Sequence, residues 1–198
     1  MRGFIGFFLI WLAIFSADSA AADKILDPAE VAGEKVKITQ TGDKFQGTEY
    51  WAGRPKSLPG VGLFTTLYIN PVFMRKTDGP AGYYLWVNYS GFGWLYPSGK
   101  VIFLLDDGSK VELLNESVKV ESKVDSCTSG SCLVTEVFRI AIDEKDMQRL
   151  AAAKSVEVAV YGRSLYVAAY FKPYHQATVQ AVLKIGGSMG GQKLAAQP

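Results

Sequence analysis

The sequence predicts a mainly β protein with a minor helical share, arranged as an antiparallel β-sandwich or a partly open β-barrel with two short helices. Three observations predict it. Short runs that alternate apolar and polar residues recur between turns rich in Gly, Pro, Asn and Asp. Asp107-Gly108 sits between two such runs, which is the strongest short-range hairpin signal. Helical spacing replaces the alternation in only two stretches, both near the C-terminal end.

The chain begins "MRGFIGFFLIWLAIFSADSAAADK", with Arg2, an apolar run of 13 residues from Gly3 to Phe15, and small residues at Ala20, Ala21 and Ala22. This is the layout of a secretory signal peptide over residues 1–22, and it places the mature protein in a periplasm or outside the cell. The run falls short of the ~18 apolar residues that a spanning helix needs. No later run approaches that length, so no transmembrane segment is expected after cleavage. The remaining 176 residues suit one ordinary domain. They keep 20 of the 21 basic and 18 of the 19 acidic residues, so the formal charge stays at +2. Without a basic cluster, nucleic acid is not an expected partner.

Residues 23–62 read as a loop-rich lead-in with one clear strand, Lys35 to Gln40. A β-rich domain over residues 63–186 follows. In "GLFTTLYIN" Leu63, Thr65, Leu67 and Ile69 share one face, and Pro71 is expected to end the strand because it cannot donate to a ladder. The connection "PVFMRKTDGPAG" then carries Val72, Phe73 and Met74, which are apolar for a loop. "YYLWVNYSGFGWLY", from Tyr83 to Tyr96, is apolar on both faces and reads as a buried strand with a bend at Gly91 and Gly93. Val101 to Leu114 is the Asp107-Gly108 hairpin.

Cys127 and Cys132 are the only cysteines. They lie between two alternating runs, Val118–Val124 and Leu133–Ile142, in an exported chain, so a disulfide clasping a hairpin is expected. A zinc site needs four ligands, and two cysteines with one histidine do not supply them, so no metal and no cofactor is expected. Ile142 to Lys154 is a helix that Asp143 caps, with Glu144 and Asp146 in its first turn. Ser155 to Phe171 is another hairpin, turning at Gly162 to Ser164. A second helix runs from Tyr174 to Ile185 and is expected to stop at Gly186. Residues 187–198 read as a flexible Gly-rich tail.

No catalytic constellation stands out. His175 is the sole histidine, and no GxSxG elbow supplies a serine. The carboxylate pairs Asp106/Asp107 and Asp143/Asp146 have turn and cap roles of their own. The densest feature is "YYLWVNYSGFGWLYP", with seven aromatics in fifteen residues. Its Tyr84, Trp86, Trp94 and Tyr96 are candidate ligand-binding residues, able to stack on a sugar, a peptide or an apolar ligand. The expected function is an exported, non-enzymatic binding or interaction module with an aromatic patch near residues 83–96. Its partner would be a protein, a glycan or a small apolar ligand. Two alternatives are a carrier with an apolar pocket inside a β-barrel and a hydrolase with an unrecognised site.

Overall fold

The computed structural model describes residues 24–25, 29–31, 33–43, 45–62, 64–128 and 130–194. The expected signal segment, Leu63 and the end of the expected tail lie outside them. With strands numbered along the chain, the larger sheet has seven antiparallel strands. Their order is β1 (Lys24–Ile25), β4 (Ile38–Asp43), β5 (Thr48–Gly53), β6 (Thr66–Lys76), β7 (Ala81–Phe92), β11 (Ser131–Ile142) and β10 (Val120–Thr128). A second sheet has the order β13 (Tyr166–Tyr170), β12 (Val156–Gly162), β8 (Pro97–Leu105) and β9 (Lys110–Leu114), and β2 (Ala29–Val31) pairs with β3 (Glu34–Val36) as a separate ribbon. The helices are α1 (Glu144–Ala152) and α2 (Pro173–Leu194). The sheets do not close into a barrel, so of the two expected architectures the open, sandwich-like one is formed.

Strand β7 organises the layers through its period of two. Tyr83, Leu85, Val87 and Tyr89 are buried, while Tyr84, Trp86, Asn88 and Ser90 on the opposite face are partly exposed. The inward residues join Leu67, Ile69 and Phe73 of β6 and Phe138 and Ile140 of β11 in one buried cluster. Val101, Phe103, Val158 and Val160 of the smaller sheet, Met147 and Leu150 of α1, and Tyr174 and Val182 of α2 belong to the same cluster. Each such side chain stabilises by about 1.5–3 kcal/mol relative to exposure, so this cluster carries most of the folding energy.

Local chemistry sets the turns as expected. Gly108 takes φ +78°, and the Asp107 carboxylate accepts the Ser109 N–H at 2.8 Å. Asp143 caps α1 by accepting the Asp146 N–H at 2.7 Å. Asp106 accepts the Lys154 N–H at 2.9 Å, tying that hairpin to the end of α1.

Three expectations are corrected. Pro71 does not end its strand: β6 continues to Lys76, and Val72, Phe73 and Met74 are strand residues rather than loop. The ladder to β5 stops at Ala52↔Val72, so Pro71 has a partner on one side only, Leu85, which is the edge-like setting proline tolerates. The stretch before residue 62 is not mainly loop, because β4 and β5 are integral to the large sheet and Trp51 is 1% exposed in the core. Helix α2 does not stop at Gly186 but runs to Leu194. A Cβ at Gly186 would overlap the Tyr83 hydroxyl, which donates to the Leu183 carbonyl at 3.3 Å. Burial, then the Glu144 carboxylate, raise that hydroxyl to about 12, so it remains a donor. Ile185 before the glycine and Met189 after it both pack on the core, and that packing outweighs the ~1 kcal/mol that a helical glycine costs.

Cys127 and Cys132 are direct register partners of β10 and β11 and form the disulfide, with Cα atoms 4.1 Å apart. They sit within the strand ends, not in the loop. Closing so short a loop restricts the unfolded chain by about 2 kcal/mol, comparable to burying one core side chain. Replacing both cysteines by serine is expected to lower the unfolding free energy by about 2 kcal/mol with the sheet intact, read from urea denaturation. An unchanged midpoint would show that the clasp adds nothing to stability.

Candidate functional site

The outward face of the large sheet follows from its register. Asn70 of β6, Trp86 of β7 and Arg139 of β11 stand in one row, and Val72, Tyr84 and Ala141 stand in the next. Tyr50 and Ala52 of β5 extend the same face, with Ala52 opposite Val72 and Tyr50 opposite Met74. Val72 is 0% exposed yet is not part of the central core cluster. Its cover therefore comes from the outer side, where Tyr50, Tyr84 and Trp86 surround it in one hollow of about 340 Å³. The Tyr50 and Trp86 rings lie 6.0 Å apart and tilted by 53°. They also wall a neighbouring hollow of about 450 Å³ that reaches Thr39, Asn70 and Arg54. Each volume suits a small ligand, and the walls combine aromatic faces with amides and hydroxyls. Asn70 lines the second hollow and donates to the Gly53 carbonyl at 2.8 Å where the β5 ladder has ended.

The four sequence-predicted aromatics divide into two pairs. Tyr84 and Trp86 belong to this outward face. Trp94 and Tyr96 follow the end of β7 and stack on each other, with ring centroids 5.9 Å apart. Tyr96 is 53% exposed, takes φ +51° and lies 5.7 Å from the Arg163 guanidinium. The residue that fixes this second pair is Glu136, at 1% exposure on the inward face of β11. Its carboxylate accepts the Leu95 N–H at 2.6 Å and the Tyr96 N–H at 3.1 Å, which satisfies a charge that burial alone would make costly. Tyr89, opposite Glu136, donates its hydroxyl to the Gly93 carbonyl at 3.1 Å, and burial and then the Glu136 charge raise its pKa. The sequence held a signal for Glu136: it occupies an apolar phase of β11, in line with Val134, Phe138 and Ile140.

The titratable groups weighed for chemistry are engaged elsewhere. His175 opens α2 but is buried at 5% exposure, not at the surface. Its Nδ1 accepts the Lys172 N–H at 3.0 Å, which puts the ring proton on Nε2, 3.3 Å from the Lys56 carbonyl. Asp106, Asp107 and Asp143 accept the backbone amides described above. Among the described residues no group of three or more His, Cys, Asp or Glu side chains is placed to hold a metal ion. No protein-family model matches the chain, and no curated protein or solved structure is significantly similar to it.

Replacing Glu136 by alanine leaves the buried Leu95 N–H and the part-buried Tyr96 N–H without their acceptor and is expected to cost about 2–4 kcal/mol. Hydrogen exchange at the Leu95 and Tyr96 amides should quicken selectively; unchanged exchange there would refute the pinning role. His175 has a pKa lowered chiefly by burial, with the contact at Lys56 offsetting part of the shift. Protonation thus favours the unfolded chain, so the stability that the neutral ring supports is complete above its ordinary pKa of about 6.5 and is lost as pH falls toward the lowered folded value. The advantage in urea midpoint of the native protein over His175→Gln should shrink between about pH 7.5 and 5.5. A constant difference would contradict this.

Proposed function

We propose that this chain is an exported binding module, without chemistry of its own, whose contact surface is the outward face of the seven-stranded sheet centred on Trp86 and Tyr84. The observation that carries the reading is Val72, buried on the face opposite the core. An outward sheet face that only meets water usually alternates to polar residues. Here that face gathers an indole and two phenols around an apolar floor, flanked by Asn70, Asn88 and Arg139. Aromatic anchors of this kind, ringed by polar groups, are where binding energy concentrates. The N-terminal apolar run and the Cys127–Cys132 disulfide support export. The occupied state of His175, Asp106, Asp107 and Asp143 supports a role in binding rather than catalysis.

The test is site-directed photocrosslinking in the export compartment. A photoreactive residue at Asn88 should give covalent adducts, and one at Ala159, on the outward face of the smaller sheet, should not. Trp86→Ala should reduce the Asn88 adducts by on the order of fivefold or more with little change in melting temperature. Equal adducts from both positions, or none from Asn88, would remove the reading.

A further inference from the structure

We propose that the two hollows beside Trp86 bind an acidic saccharide, a glycan chain carrying uronic-acid carboxylates. This rests on the binding face just described and names the chemistry of its occupant. Charge carries the first step. Arg139 and Lys76 line the first hollow, Lys37 and Arg54 line the second, and no Asp or Glu lines either. All four cations are exposed, and none has an ion-pair partner among the described residues. In register, two carboxylates stand on the same face beside the hollows. Asp43, opposite Thr48, accepts the Phe45 and Gln46 N–H groups within its own turn, and Glu121 lies opposite Val137 in the row next to Arg139. Neither lines a hollow or pairs with the four cations. The net charge of the whole chain is only +2, so four cations without a carboxylate form a local feature rather than a general basicity. An anionic ligand matches this field, and Arg139 can take a carboxylate in two-point fashion.

Shape and neutral polar groups carry the second step. The Tyr50 and Trp86 rings are too close and too tilted for a flat ring to slide between them, so a ligand must lie over their outer faces. A pyranose offers an apolar C–H face for that contact and hydroxyls around its rim. Gln46 and Asn115 in the first hollow and Thr39 in the second supply partners for hydroxyls. The Asn115 Oδ1 already accepts the Ser117 N–H at 3.1 Å, which leaves its amide hydrogens directed to other acceptors. Both hollows share Tyr50 and Trp86 as their common wall, so a ligand of several linked rings can cross that ridge and use both. An extended peptide would instead seek the backbone of a strand edge. A single-stranded nucleic acid would seek successive stacking platforms along a basic groove, whereas Tyr50, Tyr84 and Trp86 gather around a single hollow.

The experiment titrates the mature protein calorimetrically with tetramers of galacturonate, mannuronate and glucuronate, with their methyl esters, and with an oligothymidylate. One or more acid tetramers should bind, at least tenfold more tightly than the ester of the same skeleton, and added salt should weaken the binding. Trp86→Ala should weaken it on the order of tenfold, and Arg139→Gln, at an exposed position, should erase the preference for acid over ester. Equal binding of acid and ester, or tighter binding of the oligothymidylate, would overturn the proposal. If no tetramer binds while Asn88 still crosslinks through Trp86, the acidic-glycan inference fails and the binding face stands. If the crosslinks are also absent, both fail together.

Discussion

The structure depends on one strand that is paired along its length on both sides. Strand β7 meets β6 from Arg75↔Ala81 to Thr66↔Ser90 and β11 from Leu133↔Phe92 to Ile142↔Tyr83. Because side chains alternate, pairing over this length commits every second residue to the core and every other to the outside. A slip of one residue would put Leu85 and Val87 in water and Asn88 in the core. The register is therefore enforced by burial, and it is the same register that lines up Asn70, Trp86 and Arg139. The outward face is a consequence of how the core is built.

Buried polar groups complete that frame where the strands end. Glu136 holds the Leu95 and Tyr96 amides, His175 joins the segments at Lys56 and Lys172, and Asn70 reaches Gly53 past the last backbone pair. Each acts between residues far apart in sequence and would be costly to leave unpaired. Gly53 belongs to the same set of constraints, since a Cβ there would overlap the Thr178 side chain of α2. The lower part of the large sheet and the second helix are pressed together at that point. Among these contacts the Glu136 carboxylate is the one that holds the Tyr96 amide, where the backbone is left-handed and the Tyr96 ring stacks on Trp94.

Much of this was legible along the chain because it is local. The Asp107-Gly108 turn, the Asp143 cap and the Cys127–Cys132 pairing each depend on residues within a few positions of one another, where backbone chemistry decides the outcome. The run from Tyr83 to Phe92 was legible as a strand, but it read as apolar on both faces and buried; that Tyr84, Trp86, Asn88 and Ser90 stand on a partly exposed face emerges only from the sheet. Gly186 and Pro71 were misread for the complementary reason. Both are breakers by local propensity, and both are overridden by partners that the local sequence does not contain: Tyr83 across the core, and a β5 ladder that ends one residue short of the proline.

The sequence by itself determined the β class, the positions of most turns, the disulfide hairpin and the aromatic richness of residues 83–96. Tertiary structure alone decided which aromatics share a surface. Trp86 gains Tyr50 from a strand in the stretch that read as a loop-rich lead-in, and it gains Arg139 from a strand more than fifty residues onward. Trp94 and Tyr96, close to it in sequence, are carried elsewhere by the bend after Phe92 and by the Glu136 carboxylate. The physical reason is that alternation fixes the face on which a side chain stands, while strand order fixes its neighbours. Strand order is set by burial summed over the whole chain, and no short stretch encodes it.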